Sequence, residues 1–176
     1  MKIFITGYMG SGKTSIGCLL AATCDARFVD MDELIESRSG MTITDIFRSQ
    51  GEAAFRETEK EILHELAKNS ESLVVATGGG TACFFDNMDV MNQNGATVYI
   101  KVSPDVLFER LRDEAQHRPL LAEQKDLKEY IAASLAERES FYQKAQYIIQ
   151  VKPEDTDEDV CRNILRTIQN KMEEKL

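Results

Sequence analysis

The sequence predicts a single α/β domain built around a parallel β-sheet. Short apolar runs with the length of buried strands alternate along the chain with segments of helical periodicity. Strands connected in this way pair in parallel, because each connection passes through a helix before the next strand begins. At 176 residues and 43% hydrophobic composition, the chain can form one sizeable core, and no repeat or Pro/Gly-rich linker divides it.

The predicted elements follow in a regular order. Apolar runs predict strands at residues 2–6, 26–29, 73–76, 96–102 and 147–151. Helices are predicted to open near residue 15 and at residues 32–39, 42–50, 84–93, 104–111 and 127–144, with a last helix from residue 156. Thr42 and Asp45 are predicted to form a capping pair at the start of one helix. Gly51 is predicted to end that helix, and a longer helix follows it.

Composition limits the possible partners. The chain has 21 basic and 30 acidic side chains and a formal net charge of −9. This balance argues against nucleic acid as a partner, so any bound anion needs a local cluster of arginines. The cysteines have neither metal-ligand nor disulfide-framework spacing, and we expect Cys18 and Cys161 to be buried in helices. Without a signal peptide or a membrane-length apolar run, we expect a soluble, cytoplasmic protein with no membrane partner.

A glycine-rich turn joins the first strand to the first helix. Residues 7–14, GYMGSGKT, match the phosphate-binding pattern G-x-x-x-x-G-K-[ST] at every fixed position. Backbone N–H groups of such a loop surround an anion at a helix N-terminus, while Lys13 reaches the β- and γ-phosphates and the Thr14 hydroxyl ligates Mg²⁺. An incidental Gly-rich turn is the weaker alternative. The nucleotide contacts predicted in this segment are Gly10, Ser11, Gly12, Lys13, Thr14 and Ser15.

Several polar segments follow predicted strands and should meet the loop at one edge of the sheet. Ligands bind beyond the carboxyl ends of parallel strands, which places Asp30, Asp32, residues 78–80 and the loop after Val151 beside residues 7–14. Asp30 and Asp32 can divide two tasks, holding Mg²⁺ and orienting or deprotonating a hydroxyl. The alternative is that Asp32 only caps the next helix.

Other candidates are ambiguous by sequence alone. Glu52, Arg56 and Glu59 share a helical face, which fits either a surface salt-bridge ladder or an arginine oriented to grip a carboxylate. Three successive glycines at residues 78–80 indicate a ligand lying against the main chain. Arg118 lies in an unpatterned segment typical of active-site lids, and Arg138 is unremarkable by itself.

Together these segments resemble the shikimate kinase family from the first strand to the last helix. The family's phosphate loop resembles residues 7–14, its D-x-D resembles residues 30–32, and its G-E-x-x-F-R-x-x-E resembles residues 51–59. Its triple glycine falls on residues 78–80, its lid motif R-P-L-L on residues 118–121, and its R-x-x-x-Y on residues 138–142. The phosphate loop and five further motifs, all in order in one chain, make the resemblance specific.

The resemblance implies a fold and an activity. The fold is a three-layer α/β/α P-loop kinase domain spanning residues 1–176, with a five-stranded parallel sheet in the order 2-3-1-4-5. A substrate-binding helical segment is expected at about residues 32–60 and a mobile lid at about residues 112–123. The implied reaction transfers the ATP γ-phosphate to the 3-hydroxyl of shikimate, in the pathway to chorismate and the aromatic amino acids, in an enzyme that usually works as a monomer.

The resemblance also implies roles for individual residues. Lys13, Asp32 and Arg118 would be catalytic, with Asp32 activating the hydroxyl and Arg118 closing over both substrates from the lid. Thr14 and Asp30 would place Mg²⁺. Shikimate would be held by its carboxylate and by backbone groups, and the residues implied are Asp32, Arg56, Gly78, Gly79, Gly80 and Arg138.

One departure from the family pattern concerns the adenine. The family usually has an arginine seven residues before the lid arginine, where this chain has Leu111. Arg110 and Arg112 flank that position; we favour Arg110 as the ATP contact and keep Arg112 as the alternative. The adenine loop near residues 152–155 is also poorly matched.

Two other functions fit parts of the sequence. A different small-molecule P-loop kinase, for gluconate or nucleoside monophosphates, would not require Arg56 and Arg138 to converge beside a triple glycine. A nucleotide-binding regulatory protein would bind ATP without any phosphoryl acceptor, and would not need Asp32, Arg56 and Arg118 together.

Overall fold

The computed structural model describes residues 1–113, 121, 124 and 126–173. Its strands are β1 (Lys2–Thr6), β2 (Arg27–Asp30), β3 (Leu73–Ala76), β4 (Ala96–Lys101) and β5 (Tyr147–Gln150). Its helices are α1 (Lys13–Thr23), α2 (Met31–Ser39), α3 (Ile43–Lys68), α4 (Asn87–Asn94), α5 (Pro104–Leu111), α6 (Leu127–Tyr142) and α7 (Asp157–Glu173). A 3₁₀ turn at Thr81–Cys83 precedes α4.

The strands form one parallel sheet in the order β2-β3-β1-β4-β5. In the central strand, Ile3 pairs with Val74 of β3 and with Ala96 of β4. β1 and β3 are almost wholly buried, as expected for strands that are covered by helices on both faces. The three-layer α/β/α architecture and the predicted strand order are therefore confirmed.

Local sequence explains how several helices begin. Thr42 Oγ1 accepts the N–H of Asp45 at 3.1 Å, which confirms the predicted cap of α3. Ser103 caps α5, and Pro104 occupies its first turn, where a missing N–H does no harm. The chain reaches α2 directly from β2, so the last residue of the strand serves as the cap of the helix.

Gly51 interrupts its helix as predicted: its φ of 83° and ψ of 168° are not helical, and α3 consists of two helical parts that meet there at a kink. Two other predictions differ from the structure. α4 begins at Asn87 and not at residue 84, because Phe85 has a positive φ of 51° and residues 81–83 form the 3₁₀ turn. Cys161 is buried as predicted, but Cys18 is exposed, since it lies on the solvent side of α1.

Most of the expected lid lies outside the described residues. Residues 114–120, which include Arg118, belong to this part of the chain. Within the described ranges, no helix combines the length and the apolar composition needed to cross a bilayer.

Candidate active site

The loop between β1 and α1 forms a cradle for an anion. Gly10 and Gly12 have φ of 76° and 92°, a left-handed conformation that favours glycine. α1 begins without a side-chain cap and has no acidic residue in its first turn, so its N-terminal N–H groups can face a phosphate. Lys13 Nζ donates to the carbonyl oxygens of Gly7 and Tyr8, both at 2.9 Å, which holds the ammonium against the loop.

The remaining polar residues of the loop lie beside this cradle. Ser11 is buried, and Ser15 Oγ donates to the Gly12 carbonyl at 3.2 Å. Thr14 Oγ1 donates to Asp30 Oδ2 at 2.7 Å, which connects the start of α1 to the end of β2. The phosphate loop and the first aspartate therefore meet at the sheet edge, as predicted.

The two aspartates after β2 do different things. Asp30 Oδ1 accepts the N–H groups of Asp32 at 3.0 Å and Glu33 at 3.4 Å, so Asp30 is the cap of α2. The alternative that Asp32 caps this helix is wrong. Asp32 lies one residue inside α2, which leaves its carboxyl group available to the cleft.

The environment of Asp32 shifts its proton affinity. Partial desolvation by the surrounding protein, followed by the negative charge of Asp30, raises the pKa of Asp32 to about 6, and the nearby Lys13 ammonium opposes this. The side chain still has access to solvent through the open cleft. A carboxyl group with a pKa near neutrality is suited to exchange a proton with a hydroxyl group.

Arg56 is buried and held at its edges by carboxylates. It is 9% exposed, and Glu52 Oε1 accepts from its Nε at 3.3 Å and its Nη2 at 3.1 Å. Glu59 is fully buried, accepts from Arg56 Nη1 at 2.9 Å, and also accepts from Thr81 Oγ1. Burial excludes a surface salt-bridge ladder. One N–H on each terminal nitrogen has no partner among the described residues, which leaves a fork that fits a carboxylate.

The triple glycine contacts each part of the site. A Cβ atom on Gly78 would lie 2.6 Å from Glu59 Oε1 and 3.0 Å from Asp32 Oδ1. A Cβ atom on Gly80 would lie 2.7 Å from Arg56 Nη2, and one on Gly79 would lie 3.2 Å from the backbone nitrogen of Met9 in the phosphate loop. A Cβ atom at Gly78 or Gly80 would force the Glu59 or Arg56 side chain to shift, and one at Gly79 would crowd the phosphate loop, because the main chain of residues 78–80 lies directly against the site residues.

Arg138 on α6 lies beside Tyr8 of the phosphate loop. Its Cζ lies 5.4 Å from the centroid of the Tyr8 ring. Four residues on, the buried Tyr142 donates its hydroxyl hydrogen to the Gly79 carbonyl. Burial raises the pKa of the Cys83 thiol and the charges of Arg138 and Arg56 oppose this, so both guanidinium groups act on one thiol beside the triple glycine.

The two arginines considered for the adenine have different surroundings. Arg110 Nη1 donates to the Gly10 carbonyl in the phosphate loop at 3.2 Å. Arg112 is directed to Glu109, with 2.8 Å between Nη1 and Oε2, and its side chain is half exposed. Leu111, between them, is fully buried, and a Cβ on Gly10 would lie 2.9 Å from it. The geometry therefore places Arg110, and not Arg112, at the nucleotide loop.

Sequence reasoning missed some residues of this region. Phe84 packs on Arg56, with 4.2 Å between the guanidinium carbon and the ring centroid. Asp157 Oδ1 lies 3.8 Å from the position of a Cβ on Gly12. Both follow loops whose path depends on turn geometry, so no spacing or periodicity marked them. The segment at residues 152–155 is a turn in which the Lys152 N–H donates to Asp155 Oδ2 at 2.8 Å.

A parallel sheet in this order, with a phosphate loop after its central strand, defines a P-loop kinase. The sequence profile of shikimate kinase matches residues 9–169. A curated shikimate kinase from Bacteroides thetaiotaomicron is 47% identical over 150 residues, which covers 84% of this chain and 85% of that protein. The chain belongs to the shikimate kinase family, whose members are ATP-dependent phosphotransferases that act on a hydroxyl group.

Solved structures agree with this assignment. A crystal structure of shikimate kinase from Bacteroides thetaiotaomicron matches with a TM-score of 0.89 and 42% identity, covering 96% of this chain and 98% of that one. A shikimate kinase from Acinetobacter baumannii in complex with shikimate has a TM-score of 0.89 and 33% identity, covering 97% and 93%. A gluconokinase from Sinorhizobium meliloti covers 99% and 97%, but its TM-score of 0.54 and 18% identity show a shared fold alone.

Proposed function

We propose that this protein transfers the γ-phosphate of ATP to the 3-hydroxyl of shikimate, giving shikimate 3-phosphate and ADP. The observation that carries the proposal is the packing of one glycine segment against both Asp32 and Arg56. That segment brings a carboxyl group suited to a hydroxyl proton close to a guanidinium suited to a carboxylate. A hydroxy acid that is bound at both ends presents its hydroxyl to the phosphate loop in a fixed orientation.

The acceptor side uses residues from three elements. Arg56 and Arg138 bind the carboxylate of shikimate, and Gly78, Gly79 and Gly80 contact the ligand through their main chain. In the reaction, the 3-hydroxyl oxygen attacks the γ-phosphorus while the bond to the β–γ bridging oxygen breaks. Asp32 orients the hydroxyl and accepts its proton, which its raised pKa favours near neutral pH.

The nucleotide side uses the phosphate loop. The N–H groups of residues 10–15 hold the phosphates, and Lys13 moves its hydrogen bonds from the loop carbonyls to the β- and γ-phosphates. Arg110 contacts the nucleotide beside Gly10. Arg118, outside the described residues, closes from the lid at about residues 112–123 and offsets charge on the transferred group.

The donor atoms beside Lys13 fit a magnesium ion. Thr14 and Asp30 offer a hydroxyl and a carboxylate oxygen 2.7 Å apart, and oxygen is the ligand that Mg²⁺ prefers. Kinase sites hold this ion with few protein ligands together with phosphate oxygens. We propose that Thr14 and Asp30 hold Mg²⁺, which supplies positive charge to the phosphates when it is bound.

We also propose that the enzyme works as a monomer in the cytoplasm, where ATP is available. The residues of the proposed site lie within a single P-loop kinase domain of residues 1–176. The helical segment at about residues 32–60 supplies the shikimate contacts, which the burial of Arg56 and Glu59 in α3 supports.

A coupled assay of ADP release across shikimate, gluconate and nucleoside monophosphates tests the proposed reaction. We expect turnover with shikimate to exceed that with every other acceptor. Nucleoside monophosphates have no carboxylate, and gluconate is an open chain that does not hold its hydroxyl groups at a fixed position relative to its carboxylate, as a ring does. Greater activity on gluconate or on a nucleotide would overturn the proposal. ATP binding without turnover on any acceptor, unchanged by Asp32→Asn, would instead indicate a nucleotide-binding regulator.

A further inference from the structure

Phe84 places its ring against the guanidinium group of Arg56. Arg56 Cζ lies 4.2 Å from the centroid of the Phe84 ring, compared with 5.0 Å for Phe55 and 6.0 Å for Phe47. A guanidinium within about 6 Å of an aromatic face is attracted by the electron-rich ring, most strongly where water is excluded. Of these three rings, Phe84 therefore makes the shortest contact.

The main chain around Phe84 holds its ring in this position. Phe85, the next residue, has a φ of 51°, a conformation that is strained for a bulky residue. Its own side chain is 54% exposed, so the two adjacent rings diverge. Asn87 is fully buried, donates from Nδ2 to the Thr81 carbonyl at 2.9 Å, and donates its N–H to the Phe84 carbonyl at 3.3 Å. The turn is thus fixed on both sides of Phe84.

Arg56 is contacted from several directions at once. Glu52 and Glu59 accept hydrogen bonds at the edge of the guanidinium, while the Gly80 main chain and the Phe84 ring pack against it. A long side chain loses rotamer freedom when it binds a ligand, and packing that fixes it beforehand removes that cost. The Phe84 ring therefore supplies an apolar contact that the carboxylates cannot replace.

We propose that Phe84 is a positioning residue for the acceptor substrate. Its ring keeps the plane of the Arg56 guanidinium oriented so that the two remaining N–H groups meet the substrate carboxylate as a fork. The inference rests on the proposed function, because the carboxylate of shikimate is the group that Arg56 binds. The proposal assigns Phe84 to the binding of the acceptor and gives it no role in the binding of ATP.

The first test replaces the ring without introducing charge. Phe84→Leu should raise the KM and the Kd for shikimate about three- to tenfold, while kcat and the KM for ATP change by less than about twofold. Phe84→Tyr keeps the aromatic face and should restore shikimate affinity. Phe85→Leu is the matched control, since Phe85 is exposed and packs under Lys60 at 4.6 Å; it should leave all constants unchanged.

A double-mutant cycle tests whether Phe84 acts through Arg56. Arg56→Lys alone should lower shikimate affinity about tenfold or more, because the ammonium lacks the fork. In the Arg56→Lys variant, Phe84→Leu should lower shikimate affinity by less than a further factor of about two. Additive effects, or an unchanged shikimate Kd in Phe84→Leu, would overturn the positioning role and leave the proposed function intact. An unchanged Kd in Arg56→Lys would overturn both.

Discussion

Asp30 and Asp32 show how two identical side chains, two residues apart, take different tasks. The Asp30 carboxylate accepts from two backbone N–H groups and from Thr14. These hydrogen bonds fix the Asp30 carboxylate beside the phosphate loop, where the proposed metal ion and the phosphates bind. Among the described residues, no backbone N–H donates to the Asp32 carboxyl group. This group is partly desolvated and stands beside the charge of Asp30, which favours its protonated form. The proposed division of labour follows from these environments.

The raised pKa of Asp32 predicts a measurable titration. In the free protein, the ¹³C resonance of the Asp32 carboxyl should titrate with a midpoint near pH 6, and Asp32→Asn should remove that resonance. Between its ordinary pKa of 3.8 and about 6, the folded protein binds more protons than the unfolded chain. The contribution of Asp32 to the free energy of unfolding therefore falls as pH rises through this window.

Chemical denaturation provides the control for this titration. The free energy of unfolding of the wild type, relative to that of Asp32→Asn, should decrease as pH rises from about 4 to 6 and stay constant above pH 7. A carboxyl midpoint near pH 4, with no pH-dependent difference between the two proteins, would show that Asp32 is an ordinary exposed carboxylate.

At the scale of elements, the kink in α3 shapes the acceptor site. Gly51 divides the helix into an N-terminal part that carries Phe47 and a C-terminal part that carries Phe55 and Arg56. The two rings lie 4.7 Å apart, so the bend brings side chains from both parts together around the arginine. The φ of 83° and ψ of 168° at Gly51 belong to a region that is essentially restricted to glycine.

Gly51→Ala should therefore affect stability and substrate binding together. Among the described residues, no atom apart from the neighbouring chain lies within 4 Å of the added Cβ, so the effect is backbone strain of roughly 1–3 kcal/mol and not a steric clash. For a protein of this size we expect Tm to fall by roughly 2–12 °C. The KM for shikimate should rise because Phe47 and Arg56 no longer share the same geometry.

Gly40→Ala is the control that distinguishes the effect of backbone strain on the protein from the effect of the location of Gly51 beside the acceptor site. Gly40 also has a positive φ, 66°, with open space around it, but it ends α2 on the surface. This variant should lower Tm without changing the KM for shikimate. If the two variants lowered Tm and affinity in parallel, affinity would follow general stability and the kink would have no specific role in the site.

The sequence predicted both the interruption at Gly51 and the longer helix after it, and the structure confirms both. It did not predict the direction in which the second part continues, because glycine marks only a departure from helical backbone and that direction depends on the packing of Phe55, Ile62 and Leu63 against the core. Turn geometry that the sequence does not reveal also explains why the position of Phe84 was not predicted. Its neighbour Phe85 adopts a left-handed φ that aromatic residues rarely take, so helical periodicity placed both rings on a helix.

For the whole molecule, the sheet made the site predictable. Parallel strands that alternate with helices bring their carboxyl ends to one edge, which predicted that residues 7–14, Asp30, Asp32 and residues 78–80 would meet. The side-chain partners of Arg56 required the structure, because periodicity fits a surface ladder equally well. Arg110 was favoured over Arg112 from the family pattern, and the burial of Leu111 gives the physical reason.

Because the phosphate loop is continuous with the central strand, nucleotide binding should stabilise the entire domain. At a nucleotide concentration of 100 Kd, binding to the folded state alone adds about 2.7 kcal/mol, which corresponds to a rise in Tm of roughly 5–10 °C for this chain length. Lys13→Ala should lose most of that rise, since the Lys13 ammonium no longer meets the β-phosphate of ADP. Differential scanning fluorimetry with ADP and Mg²⁺ measures the difference directly.

For each variant, the Tm with ADP must be compared with the Tm of the same variant without ADP. Lys13 also donates to the Gly7 and Tyr8 carbonyls, so its loss lowers Tm even without ligand. Lys128→Ala is the charge-matched control: this lysine is exposed and pairs with Asp105 at 2.8 Å, far along the chain from the loop. It should keep the full ADP-induced rise. An equal rise in Lys13→Ala would mean that the nucleotide is held elsewhere, and the phosphate loop would no longer define the donor site.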